Sequence, residues 1–155
     1  CHENASYLSN NKIINWMLAQ EKRMELNTPS PYREFERRSY LHRSDLIELV
    51  KTINNSGETI AGYGASTKGN VILQFCQFTS NDLIGIAEVN EDKFGKYTPG
   101  SKIPIMSESE IKRENPEFML VLPWHFRESI ISREKEYLLK GGKLIFPLPE
   151  IEIVG

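Results

Sequence analysis

The segment Glu58–Asn70, with the sequence ETIAGYGASTKGN, constrains the fold of this chain more than any other stretch. It reads as a short apolar strand, a turn that contains Gly62 and Gly64, and a helix that Ser66 can cap. The glycines permit a tight turn and a close approach of the backbone to a ligand. A helix N-terminus presents N–H groups without intrahelical partners and the positive end of the helix dipole. The segment therefore predicts a strand–turn–helix unit that binds an anion, most often a phosphate.

The turn departs from both of the common nucleotide motifs. Gly62 and Gly64 match the first two glycines of the dinucleotide fingerprint, but Thr67 stands at the third position. Lys68 precedes Gly69 instead of following it, so the segment is not a Walker A loop either. The alternative is a plain strand–helix connection with a solvated lysine. We interpret the turn as a phosphate site whose binding residues are Gly62, Gly64, Ser66, Thr67 and Lys68.

Strands and helices alternate through the rest of the chain. Apolar runs predict strands at 59–62, 83–89, 103–105, 118–122 and 143–146, with the tail PLPEIEIVG as a further edge strand. Helices are predicted between them at 66–78, 107–114 and 127–140. Continuous apolar strands separated by helices are typical of a parallel sheet covered on both faces. We therefore expect the α/β class, with a Rossmann-like three-layer domain and a mostly parallel sheet.

A pair of helices is predicted ahead of this domain. Apolar residues recur at helical spacing over about 9–26 and again over about 33–54. Pro29 and Pro31 should break the first helix, and Gly57 should end the second. The predicted division is therefore an N-terminal helical segment at 1–56 and the Rossmann-like domain at 57–155.

Composition restricts the partners of the chain. Its 19 basic and 21 acidic residues give a formal net charge of −2, so a nucleic-acid partner is not expected. The sequence contains no apolar run of about 20 residues and no recognisable signal peptide, so we expect no membrane partner and a cytoplasmic location. Two isolated cysteines and three scattered histidines do not favour a disulfide framework or a bound metal. The chain starts without methionine, which we interpret as a fragment of a longer protein.

A second loop should face the glycine turn. Ligands of doubly wound sheets lie beyond the carboxyl ends of the strands, where the strand order reverses. If the strand at 59–62 is the first of the sheet and the strand at 118–122 opens its second half, the two are neighbours there, and the loop Pro123–Phe126 faces the turn. Trp124 can then stack on a ring, and His125 can donate to a phosphate or a hydroxyl. The alternatives are core packing for Trp124 and a surface role for His125.

For two further features near the expected site, we favour an interpretation that involves no ligand. Glu88 ends the second strand of the sheet, where a dinucleotide-binding acid would hold a ribose, but we favour a solvated carboxylate. The loop Lys93–Lys102 contains three lysines, Tyr97 and two glycines. It forms either a cationic flap over the site or a solvated connection, and we favour the connection.

Four segments in this order and spacing carry a family resemblance: GYGASTKGN, GKYTPG, LPWHF and GGKLIFPLPE. Together they resemble the C-terminal domain of SAM-dependent C-methyltransferases that act on nucleotide-linked deoxysugars. The resemblance extends from about His2 to Glu150. It implies a longer polypeptide with an N-terminal zinc-binding domain, a central SAM-binding domain and this Rossmann-like domain. It also implies that the nucleotide-sugar lies in the cleft between the central and C-terminal domains.

The resemblance also implies a catalytic segment at the start of the chain. HENASYLS is similar to the family's His-Glu-His segment, in which the second histidine is the proposed base that deprotonates the carbon beside a sugar ketone. The resulting enolate would attack the methyl group of SAM. In this chain Asn4 stands at that position, and an amide cannot take the proton. Either His2 or Glu3 then serves near the reacting carbon, or the chemistry differs.

The implied partners are a nucleotide-diphosphate sugar and the SAM-binding domain of the same polypeptide. SAM is the expected cofactor of the full-length enzyme, with its site outside this chain, so we expect no methyl transfer by the chain alone. Ser66, Thr67 and Lys68 would hold the diphosphate, and Tyr97 and Trp124 would face a ring or the sugar. Two alternatives remain open. The chain is a CoA-binding or dinucleotide-binding module, or it is a docking domain that has kept the fold and lost the ligand.

Overall fold

The computed structural model describes residues 9–155, and the chain divides into two units, Cys1–Leu41 and His42–Gly155. Among the helices of the described residues, none combines the length and the hydrophobicity that a bilayer span requires. The unit that contains the sheet begins within the second helix. The predicted domain boundary between residues 56 and 57 stays a prediction.

The first unit contains helix α1 (Asn11–Arg23) and the start of α2 (Ser30–Asn55). Asn10 caps α1, since its Oδ1 accepts a hydrogen bond from the N–H of Ile13 at 3.2 Å. The prediction that the second helix starts at about Arg33 was wrong, because Pro31 lies inside the first turn of α2. Proline is tolerated there, where its missing N–H has no intrahelical partner in any case.

The second unit is built on a six-stranded sheet, counted over the described residues. The strands are β1 (Ile60–Tyr63), β2 (Ile86–Glu88), β3 (Ile105–Ser107), β4 (Phe118–Val121), β5 (Lys143–Phe146) and β6 (Glu152–Val154). Their spatial order is β3-β2-β1-β4-β5-β6. The first five are parallel, and β6 pairs antiparallel with β5. The helices of this unit after α2 are α3 (Thr67–Phe75), α4 (Glu108–Glu114), α5 (Arg127–Arg133) and α6 (Lys135–Leu139).

Alternate residues of the strands pack against different helices. On β4, Phe118 and Leu120 join a core cluster with buried residues of α2 and α3. Met119 and Val121 join a second cluster with Ile111 of α4 and residues of α5. Period-two alternation on a strand buried on both faces produces these two separate cores. The expected Rossmann-like α/β fold with a mostly parallel sheet is confirmed.

The strand order reverses between β1 and β4, as the sequence predicted. Ile60 of β1 pairs with Phe118 of β4, while β2 lies on the other side of β1. The loops that follow these two strands are in contact. A Cβ added at Gly64 would lie 2.9 Å from Cγ of Pro123, and one added at Gly69 would lie 2.5 Å from Cβ of Leu122. Glycine therefore permits the close approach of the turn and α3 to the end of β4.

One predicted helix is divided in two. The sequence predicts a single helix over 127–140, but α5 ends at Arg133 and α6 begins at Lys135. Glu134 lies between them with a side chain that is only 2% exposed. Its carboxylate accepts hydrogen bonds from Tyr63 and Lys112, which lie on β1 and α4. The helix thus breaks at a residue whose side chain is held by distant elements.

Gly69→Ala tests the contact between α3 and the end of β4. Alanine gains about 1 kcal/mol in helix propensity, but overpacking a core contact costs about 1–3 kcal/mol. The opposing atom is the Cβ of Leu122, which is fixed to the backbone, so we expect a net loss of about 1 kcal/mol in the free energy of unfolding. Urea denaturation measures it as a lower midpoint at unchanged slope.

Val71→Ala on the same helix is the control for this variant. Val71 is 67% exposed, so its truncation should change the free energy of unfolding by no more than about 0.5 kcal/mol. A Gly69→Ala chain as stable as the wild type would show that α3 does not depend on this close approach.

Candidate functional site

A cleft of about 360 Å³ opens at the carboxyl ends of β1, β2 and β4 in the second unit. The glycine turn contributes Gly64 to Ser66 to its lining, and β2 contributes Ala87 and Glu88. Further lining residues come from the loop after β2, from α4, from the loop after β4 and from α5: Val89, Lys93, Glu108, Pro123, Phe126, Ser129, Ile130 and Arg133. This is where ligands of doubly wound sheets bind, because two neighbouring strands lead to helices on opposite faces.

The glycine turn presents the N-terminus of α3 at this edge. Gly64 has a φ of +79°, and its N–H donates to the carbonyl of Ala87 at 2.8 Å. Ser66 caps the helix, and its Oγ accepts from the N–H of Gly69 at 2.9 Å. The N–H groups of Thr67 and Lys68 lie in the first turn and have no intrahelical acceptor. The turn therefore offers two backbone donors and the positive end of the helix dipole.

Glu88 organises the turn, and the interpretation of it as a solvated carboxylate was wrong. The residue is 7% exposed. Its Oε2 accepts from the N–H of Ala65 at 3.1 Å and from Nζ of Lys93 at 2.9 Å. Its Oε1 accepts from the N–H groups of Val89 at 2.9 Å and Asn90 at 3.1 Å. Burial opposes ionisation, but the donors of Asn90, Lys93 and Val89 outweigh it and lower the pKa of Glu88.

Lys93, in the loop after β2, bonds to the glycine turn. Its Nζ donates to the carbonyl of Ala65 at 2.9 Å as well as to Glu88. The loop Lys93–Lys102 was expected as a solvated connection, and its first residue instead lines the cleft. The lysine nearest to the turn in sequence, Lys68, is exposed and is not part of the cleft lining.

The cleft lining on β1 and α5 is held by a buried ionic network. Tyr63, the last residue of β1, donates its hydroxyl to Oε1 of Glu134 at 3.0 Å. Lys112 donates to Oε2 of the same carboxylate at 2.8 Å. Burial and the negative charge of Glu134 raise the pKa of Tyr63 far above its usual value, so the phenol stays protonated and donating. The guanidinium of Arg133 lies 5.9 Å from the centre of the Tyr63 ring and pairs with Glu108.

The aromatic residues of the loop after β4 have different environments. Trp124 is half-buried and packs against both core clusters, which is the alternative that sequence analysis left open for it. Phe126 is 59% exposed and lines the cleft. His125 is exposed, with its ring centre 4.2 Å from that of Phe126. An exposed ring in a cleft offers a stacking surface, and Phe126 occupies that position.

The remaining predicted site residues lie in four different places. Gly64 and Ser66 line the cleft, and Thr67 and Lys68 begin the helix beside it. Gly62 lies within β1, where the side chain of Ile86 fills the space above its Cα. Tyr97 is 65% exposed and belongs to a separate depression beside β3. The predicted catalytic residues His2 and Glu3 lie outside the described residues.

Three residues that form or support the cleft had no place in the sequence-based site: Glu108, Arg133 and Glu134. Two others, Lys93 and Phe126, lie in loops that were considered there, but neither was predicted as a site residue. One local signal was present for Glu108, since the capping box of Ser107 with Glu110 marks the start of α4 at the sheet edge. Arg133 and Glu134 carried no such signal, because they lie in an ordinary amphipathic pattern.

The side chains of this domain do not fit the ribose of a nucleotide cofactor at the end of β2. In dinucleotide-binding folds the acid at this position accepts from the ribose hydroxyls. A carboxylate has about four lone-pair positions, and the four donors to Glu88 use them. Among residues 9–155, no group of three His, Cys, Asp or Glu side chains is arranged to hold a metal ion.

Comparison with known proteins places the chain in a family. A family model described as the C-methyltransferase C-terminal domain matches residues 1–149. The chain belongs to this family. The C-methyltransferase NovU of Streptomyces niveus is 37% identical over 139 residues, which is 90% of this chain and 33% of NovU. The family resemblance inferred from four sequence segments is thereby confirmed, and the chain spans a third of the length of this relative.

Glu88→Gln tests the carboxylate that organises the turn. The pKa of Glu88 is lower in the folded chain than in the unfolded one, so its stabilisation is present above the unfolded pKa. It is lost as the pH falls through the folded pKa. We expect the variant to lose about 1–3 kcal/mol of unfolding free energy at pH 7, because a charged acceptor of four hydrogen bonds is replaced.

The pH dependence distinguishes this effect from a packing defect. The gap between wild type and Glu88→Gln, measured by urea unfolding, should narrow as the pH falls below about 5, where this carboxylate begins to protonate in the unfolded wild-type chain. Glu91→Gln, at an exposed position of the same loop, should leave the stability unchanged throughout. A gap that stays constant down to about pH 3 would contradict the assignment of the effect to the charge of Glu88.

Proposed function

We propose that this chain is the substrate-binding part of a SAM-dependent C-methyltransferase that acts on a nucleotide-linked keto-deoxysugar. The observation that carries the proposal is the cleft at the reversal of strand order, beside the N-terminus of α3. Membership of the C-methyltransferase C-terminal domain family gives the reaction class. The nucleotide-sugar substrate and the use of SAM are inferences from the resemblance and from the chemistry of the cleft.

The glycine turn is suited to the diphosphate of such a substrate. The N–H groups of Thr67 and Lys68 are the donors that an anion at a helix N-terminus uses. The Lys68 side chain is exposed beside them and can add a cationic contact. A diphosphate is remote from the reacting carbon, so its binding energy can position the sugar ring without taking part in the chemistry.

The remaining proposed contacts are those to the nucleobase and the sugar of the substrate. Phe126 is the exposed ring in the cleft, and His125 lies beside it. We retain Tyr97 and Trp124 as proposed ring contacts, although Trp124 packs largely on the core and Tyr97 belongs to the depression beside β3. His2 and Glu3 are the proposed groups near the reacting carbon.

We assign SAM binding to another part of a longer polypeptide. The donors around Glu88 leave no acceptor for a nucleotide ribose at the end of β2. NovU is three times as long as the matched segment, which leaves length for a further domain in a protein of that size. The 155-residue chain should therefore bind the nucleotide part of the substrate and transfer no methyl group.

The same observation weighs against the principal alternative. A dinucleotide-binding module needs a free acid at the end of β2, and Glu88 is occupied by the protein's own donors. Thr67 also stands where the fingerprint has its third glycine. The other alternative, a CoA-binding module, is tested by including CoA in the binding experiment.

Isothermal titration calorimetry of the 155-residue chain with dTDP, UDP, CoA and NAD tests the proposal. We expect one of the two nucleoside diphosphates to bind at a stoichiometry of one, and CoA and NAD to bind more weakly or not at all. Tight CoA binding without a response to dTDP or UDP would overturn the proposed substrate class. Methylation of a keto-sugar nucleotide by this chain alone would overturn the assignment of SAM binding to another domain.

Lys68→Ala separates a ligand-binding domain from a docking domain that has lost its ligand. An exposed charge contact contributes roughly 1 kcal/mol, so the variant should bind the nucleoside diphosphate about fivefold more weakly. Lys51→Ala removes the same charge from the exposed surface of α2 and should leave the affinity unchanged. Equal affinities for Lys68→Ala and the wild type would favour the docking domain.

A further inference from the structure

Arg133 adds a cation to the cleft that the glycine turn does not supply. It is the last residue of α5 and lines the same cleft as Gly64 and Ser66. Its Nη2 pairs with Oε2 of Glu108, the first residue of α4. The cleft lining therefore holds one ion pair from the loop after β2, Lys93 with Glu88, and a second between α4 and α5.

The two ion pairs differ in whether a ligand can displace the carboxylate from its cation. Glu88 accepts four hydrogen bonds, three of them from backbone N–H groups, so Lys93 keeps a fixed partner. The Glu108 side chain is 19% exposed and that of Arg133 is 49% exposed. Solvent reaches the Arg133 side of this pair, so an incoming anion can replace Glu108 at a smaller cost than it could replace the fully bonded Glu88.

Arg133 would stay in place if Glu108 left. Its guanidinium lies over the Tyr63 ring, with 5.9 Å from Cζ to the ring centre. Its Nε is 3.7 Å from Oε1 of Glu134, which also accepts from the Tyr63 hydroxyl. Lys112 holds the other oxygen of Glu134. The buried network thus orients the guanidinium independently of Glu108, and a preorganised donor loses less freedom on binding a ligand.

We infer that Arg133 binds the diphosphate of the nucleotide-sugar and that Glu108 occupies its guanidinium until the ligand arrives. The inference rests on the proposed function and names a contact of the same site. A guanidinium donates two parallel hydrogen bonds to phosphate oxygens and is always charged. The helix N-terminus of α3 contributes only about half a positive charge. When the ligand takes the place of Glu108, the guanidinium of Arg133 offers it a full positive charge. The other cation that lines the cleft stays paired with a carboxylate of the protein.

A double-mutant cycle measured by calorimetry with dTDP and UDP tests the exchange. Arg133→Gln should weaken binding of the nucleoside diphosphate about tenfold or more, because it removes a charge-assisted bidentate contact. Arg133→Lys keeps the positive charge but cannot donate two parallel hydrogen bonds from a planar group. Its affinity should therefore fall between those of the wild type and Arg133→Gln. Glu108→Gln frees the guanidinium and should strengthen binding several-fold.

The decisive readout is Glu108→Gln in the Arg133→Gln background. If Glu108 occupies Arg133 in the free chain, Glu108→Gln should no longer increase the affinity for the nucleoside diphosphate in that background. A gain of equal size in both backgrounds would mean that Glu108 acts only as a distant charge, and would overturn the exchange. Unchanged affinity in both Arg133→Gln and Arg133→Lys would overturn the assignment of Arg133 while leaving the ligand in the cleft. A wild-type chain that binds neither nucleotide would overturn the proposed function and this inference with it.

Matched controls exclude a general effect of charge or folding. Arg113→Gln and Glu114→Gln make the same charge changes on α4, at exposed positions outside the cleft lining. Each should change the affinity less than twofold. Circular dichroism melting should show that the Arg133 variants are folded. If Arg133→Gln does not fold, Glu108→Gln is measured in the Arg133→Lys background, where it should strengthen binding less than it does in the wild type.

Discussion

The structure of the second unit depends on the close contact between the glycine turn after β1 and the end of β4. The space for a side chain at Gly64 is filled by Pro123, and that at Gly69 by Leu122. Because the glycines allow this contact, α3 starts at the carboxyl edge of the sheet and its N-terminus faces the point where the strand order reverses. The cleft follows from that arrangement, since α4 and α5 pack on the other face of the sheet.

Charge in the cleft is arranged in pairs, and the two pairs serve different purposes. Glu88 is buried and satisfied by backbone donors, so it fixes the turn and keeps Lys93 beside it. Glu108 and Arg133 are partly exposed and joined by one contact, which is why we propose that a ligand exchanges with Glu108. The buried network of Tyr63, Glu134 and Lys112 links β1, α4 and the α5–α6 junction and holds Arg133 over an aromatic ring.

Sequence analysis predicted the elements that depend on local patterns. The strand–turn–helix at β1, the neighbouring positions of β1 and β4, and the helix that ends at Glu114 follow from apolar runs, glycines and cap residues close together in the chain. It failed where distant contacts decide. Glu134 lies where a predicted helix is divided and bonds to Tyr63, 71 residues away, and the buried Glu88 takes its donors from the turn and the loop. Trp124, which stays a proposed ring contact, packs largely on the core, which is the alternative that the sequence left open, and no local signal distinguished it from Phe126, which lines the cleft.

The central claim is that the cleft beside the α3 N-terminus binds the nucleoside diphosphate part of the substrate. A titration of the ¹⁵N-labelled chain with dTDP or UDP, followed by two-dimensional NMR, tests it most directly. We expect the largest chemical-shift changes at the backbone amides of Gly64 to Lys68 and at the side-chain Nε–H of Arg133. Shifts confined to the depression around Tyr97, or no saturable shifts with either nucleotide, would contradict it.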